Sequence, residues 1–71
     1  MSELFRNDKD QLCTWFGRFL VVQERKDRNS IYFVNDRKRN FLSHRDTWKN
    51  ACKLAKMFDE VYNLGYADGS Y

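Results

Sequence analysis

Read for apolar and polar positions, the chain divides into an apolar stretch, two short patches and one long periodic segment. From Cys13 to Arg25 it runs Thr14, Trp15, Phe16, Gly17, Arg18, Phe19, Leu20, Val21, Val22, a stretch rich in β-branched and aromatic residues. Such residues fit a pleated, buried surface, so the pattern predicts one long or bent strand. Gly17 inside it marks a bulge or a close backbone approach. Lys26-Asp27-Arg28-Asn29-Ser30 then reads as a hairpin turn, because Asp and Asn bond their own backbone and tolerate left-handed conformations. A second strand is expected over Ile31 to Val34, a second turn over Asn35 to Lys38, and a short third strand over Arg39 to Leu42. Together these predict an antiparallel meander over residues 13–42.

The helix signal is the strongest in the chain. Trp48, Ala51, Cys52, Ala55, Phe58 and Tyr62 recur at spacings of three and four, flanked by Leu54 and Val61, which gives one broad apolar stripe. Ser43-His44-Arg45-Asp46 fits a capping box ahead of it, and Gly65 is the natural stop, so a helix is expected over 43–65. At 1.5 Å per residue, about 20 residues span ~30 Å, the length of a small sheet. The first dozen residues, with Leu4, Phe5 and Leu12 apolar, allow a short helix, an arm or an edge strand; the helix or arm is preferred. Residues 66–71 read as a loose tail. The expected architecture is a single α+β domain over 1–71: a three-stranded antiparallel meander with one long C-terminal helix packed on one face.

A strand through 15–22 is apolar on both faces. The odd positions are Trp15, Phe19 and Val21, the even ones Phe16, Leu20 and Val22, and one helix covers only one set. Unless the N-terminal arm covers the other face, it is an apolar patch of the kind that marks an interaction.

Composition narrows the classes. With 71 residues there is room for one small core, and six Phe, four Tyr and two Trp supply large buried area per residue to fill it. There is no proline and there are three glycines, so nothing reads as a linker. The start has no apolar signal-peptide core and no run approaches the ~18 apolar residues of a membrane span, which points to the cytoplasm. In that compartment Cys13 and Cys52 are expected as free thiols.

Catalysis and metal binding have little support. Ser43, His44 and Asp46 look triad-like in print, yet Ser43 and Asp46 are better explained as capping residues, and His44 lies about 12 Å of helical rise from Cys52. Single Cys13, Cys52 and His44 lack the paired spacing of zinc ligands, and no glycine-rich phosphate loop is present. Neither a metal nor another cofactor is expected.

Charge supplies the remaining clue. Thirteen Lys and Arg against ten Asp and Glu give a net charge of +3, and the cations cluster. Arg25, Lys26 and Arg28 crowd the first turn, Arg37, Lys38 and Arg39 the second, and Arg18 lies among aromatics. Such cations suit phosphate contacts, and Tyr32 is the aromatic whose hydroxyl best tolerates exposure. In element order, over about residues 14 to 64, the chain resembles the AP2-type and integrase-arm DNA-binding domains; that resemblance implies a sheet laid in the major groove. In size and composition it is similar to the small aromatic-rich proteins that bacteriophages encode to modify host machinery. The expectation is a non-enzymatic regulatory binding protein of bacterial or phage type that contacts nucleic acid through Arg18, Arg25, Lys26, Arg28, Tyr32, Arg37, Lys38 and Arg39. The alternative is an inhibitor or adaptor that binds a host protein, or a homodimer, through the second sheet face.

Overall fold

The computed structural model describes residues 3–67. It is an α+β fold: five antiparallel strands in the order β1 (Leu4–Arg6), β2 (Leu12–Phe16), β3 (Phe19–Arg25), β4 (Arg28–Asn35) and β5 (Lys38–Arg45), followed by helix α1 (Trp48–Ala67). The expected class holds, but the sheet has five strands where three were expected.

Two local features account for the difference. Gly17 is not a bulge but the first central residue of a two-residue hairpin loop, Gly17-Arg18, at φ +61°, and the expected close approach is there, made by the Asp59 side chain. Positive φ at the first loop position is the conformation that glycine supplies without steric cost and that matches the twist of a tight hairpin. A β-carbon there would also meet the Asp59 carboxylate of α1, with 2.1 Å to Oδ1. The run 13–25 is therefore two strands. The N-terminal segment is the second feature: Leu4–Arg6 is an edge strand paired with β2 (Leu4↔Thr14, Phe5↔Cys13, Arg6↔Leu12), neither helix nor free arm. Residues 1–2 and 68–71, and with them most of the expected loose tail, lie outside the described residues.

The hairpin also regroups the faces. Because Phe16 pairs with Phe19 and Trp15 with Leu20, the even positions of β2 share a face with the odd positions of β3. Phe19, Val21 and Ile31 are buried under Ala51 and Ala55 of α1, with Phe16, Phe33, Trp48, Cys52, Leu54, Phe58 and Tyr62 packed around them. The two alanines let the helix backbone come close, while Phe19 contacts Phe33, Phe58 and Tyr62 at ring-centroid distances of 5.3, 5.8 and 6.0 Å. The expected stripe is the buried one except at its flank, since Val61 is 66% exposed.

The β3–β4 and β4–β5 hairpins are equally short, whereas β1 and β2 are joined by the five residues 7–11. Asp36 and Arg37 both have positive φ, 51° and 66°, so the β4–β5 loop has the type I′ form whose twist suits a two-residue connection. The register shifts between Gln23 and Arg25, leaving Glu24 unpaired, and between Ile31 and Tyr32, leaving Leu42 extra on β5. β5 runs through Ser43 and His44, so the expected capping box does not form. Thr47 caps the helix instead: its Oγ1 accepts from the Asn50 amide (3.2 Å) and its carbonyl from the Ala51 amide (3.1 Å). At the other end α1 continues through Gly65 to Ala67.

Candidate functional site

The face of the sheet turned away from α1 has a small core of its own. Cys13, Leu20 and Val22 are buried there, with Tyr32 and Val34 against them, although among the described residues no helix covers them. The sheet covers them by bending. Phe5 and the β1–β2 loop from one edge and Arg39 from the other line a single cleft of ≈480 Å³, together with Val22, Glu24 and Tyr32. Right-handed twist accumulated over five strands brings opposite corners toward one another and makes this face concave.

The loop wall is held by its own hydrogen bonds. Asn7 Oδ1 accepts from the amides of Lys9 (3.0 Å) and Gln11 (2.9 Å), and Asn7 Nδ2 donates to Gln11 Oε1 (2.9 Å). Arg6 Nη1 donates to the Asp10 carbonyl at 2.9 Å, which fixes the loop where Asp10 takes a φ of 61°.

At the opposite side of the cleft, the unpaired Glu24 turns its carboxylate onto β4. It accepts from Ser30 Oγ and from Tyr32 Oη (2.8 Å), with Arg28 Nε at 3.6 Å. The Ser30 hydrogen bond, helped by Tyr32 and Arg28 and opposed by partial burial, holds the Glu24 carboxyl below its ordinary value. Tyr32 moves the other way: burial raises its pKa first, and the Glu24 charge adds to it. Burial also raises the Cys13 thiol, partly offset by the nearby Arg39. A thiol buried in this way packs as a small apolar residue.

Exposed rings surround this core. Phe5 is 39% exposed, Trp15 41% and Phe41 50%. Phe41 meets Tyr32 edge-on at 5.8 Å and His44 at 6.3 Å, and the Arg28 guanidinium lies 5.8 Å over its ring. A planar cation against an aromatic face is itself a surface on which another flat group stacks.

The basic residues singled out from sequence divide by position. Arg28, Tyr32 and Arg39 come together on the concave face. Arg25 and Lys26 lie beside Arg28 at the β3–β4 end, whereas Arg18, Arg37 and Lys38 stand at the opposite end, in the β2–β3 and β4–β5 turns. Glu24, Ser30, Phe5, Phe41 and the β1–β2 loop were not legible as part of the site. Ser30 and Tyr32 at i and i+2 already mark a polar pair on one face of β4, but their acceptor is set by an unpaired residue that no alternation pattern shows.

Ser43 and His44 occupy successive positions of β5, paired with Ile31 of the helix-covered face and Ser30 of the open face. Alternation therefore separates them. Cys13 and Cys52 are free and belong to the two different cores. Among the described residues no group of three or more His, Cys, Asp or Glu is placed to hold a metal ion, and no helix is long and apolar enough to cross a membrane. Compared with family models, curated proteins and solved structures, the chain matches none.

Proposed function

We propose that this is a non-enzymatic regulatory binding protein that contacts nucleic acid through the concave sheet face and the basic turns at its ends. One observation carries the reading: Arg28 and Arg39 sit on the same face as the exposed rings of Phe5, Trp15 and Phe41. Stacking surfaces flanked by guanidinium groups are the equipment for binding bases and phosphates together. The acid in their midst, Glu24, is already engaged by Ser30, Tyr32 and Arg28, so it leaves Arg39 available to a ligand.

Anisotropy of a labelled oligonucleotide at low and high salt tests the proposal. Phosphate contacts release counterions, so affinity falls steeply as salt rises. Arg39→Glu removes one such contact and adds repulsion; it weakens low-salt binding by about tenfold and lowers the salt slope by about one.

The same exposed rings favour a second reading, a partner protein or a second copy seated on this face. Affinity that ignores both salt and Arg39→Glu selects that reading and rejects the first.

A further inference from the structure

The strand registers align the exposed rings in a row. Trp15 pairs with Leu20, Leu20 with Tyr32, and Tyr32 with Phe41, so these four residues cross β2, β3, β4 and β5 on the open face, perpendicular to the strands. Three interstrand steps of ~4.8 Å put Trp15 about 14 Å from Phe41. Leu20, between them, is 2% exposed and packs beneath its neighbours as part of the core, so it offers the ligand no surface, while the rings at the two ends are 41% and 50% exposed. Arg39 on β5 and Arg28 over the Phe41 ring bring positive charge to the same end of the row.

Resting on the nucleic-acid reading, we infer that the ligand is a single strand, laid across the sheet along the Trp15–Leu20–Tyr32–Phe41 row with its bases stacked on Trp15 and Phe41. Width decides against a duplex groove. Five strands at ~4.8 Å make a sheet about 19 Å across, whereas the DNA major groove is about 12 Å wide. A paired, stacked duplex also offers base edges but no base faces, and faces are what exposed rings bind. A row about 14 Å long between two rings matches the two or three bases that a sheet-borne aromatic platform holds. Arg39 then meets the backbone phosphate beside Phe41, while Arg28 stays paired with Glu24 over the ring.

Trp15 supplies its own probe. Titration of the full chain with oligothymidylate of about ten nucleotides is expected to quench its fluorescence, and Trp15→Phe, which keeps Trp48 packed against the helix-side core, is expected to lose that quench. Trp15→Ala and Phe41→Ala, at positions 41% and 50% exposed, each weaken binding about tenfold or more while the thermal transition stays cooperative. A duplex of the same length binds at least about tenfold more weakly than the single strand.

Equal affinity for duplex and single strand with unquenched Trp15 overturns this path but leaves the nucleic-acid reading in place. Wild-type affinity in both alanine variants does the same. A protein that answers no oligonucleotide overturns both readings, and one that is then dimeric assigns the face to a second copy.

Discussion

Glu24 organises the open face through its hydrogen bonds to β4. As the unpaired residue of β3 its side chain reaches across to Ser30 and Tyr32, drawing β3 and β4 together on the concave side and fixing the Tyr32 ring. Its folded pKa lies below the ordinary 4.5, with the Ser30 hydrogen bond as the main cause. The sign follows from linkage: the stabilisation is complete above pH 4.5 and is lost as pH falls through the depressed folded value, where the native carboxylate takes up its proton. Glu24→Gln is therefore expected to be less stable than wild type at neutral pH, with the difference shrinking as pH drops below 4.5. Urea denaturation of both proteins across that range checks this, and a gap that does not change with pH contradicts it. Tyr32 acts at the other extreme: its pKa is raised above 10.0, so its contribution is present below that value and lost as pH rises through the higher folded one.

At the scale of elements, the helix stripe and the β4–β5 turn were legible because each rests on spacing or on turn residues close in sequence. Ala51, Cys52, Ala55, Phe58 and Tyr62 repeat with the helical period, and they pack on the sheet as that period requires. The hairpin at Gly17 was not legible. A glycine within an apolar run reads as a bulge or a close approach inside one strand, and the turn it makes depends on pairing between β2 and β3 that no local pattern displays. The cap misled for a related reason. Ser43 and Asp46 match a capping box, but β5 pairs with β4 as far as Asn29↔Arg45, and that ladder takes Ser43 out of reach of the helix start. Thr47 caps instead, so Thr47→Ala should cost about 1 kcal/mol of stability whereas Ser43→Ala should not weaken the helix start. Thermal melts of the two variants compare them directly; an equal loss in both contradicts the assignment.

For the whole molecule, class and layering followed from the amino-acid pattern, and the concave site did not. The sequence shows that the second face of the sheet is apolar; it does not show that the edges bend toward each other, because bending is the sum of twist over all five strands. Cys13, Leu20 and Val22 are buried by that bend, and Phe5 and Arg39, thirty-four positions apart in sequence, come to line one cleft. The site is a property of the assembled sheet, with cations and rings brought onto one face and the helix onto the other. The most direct test is amide-resolved NMR of the full chain titrated with a short single strand. The fold and charge predict shifts concentrated at Trp15, Leu20, Tyr32, Arg39 and Phe41, with Lys53, Lys56 and Glu60 on the exposed side of α1 unmoved. Shifts centred on α1, with the sheet face silent, would contradict the account.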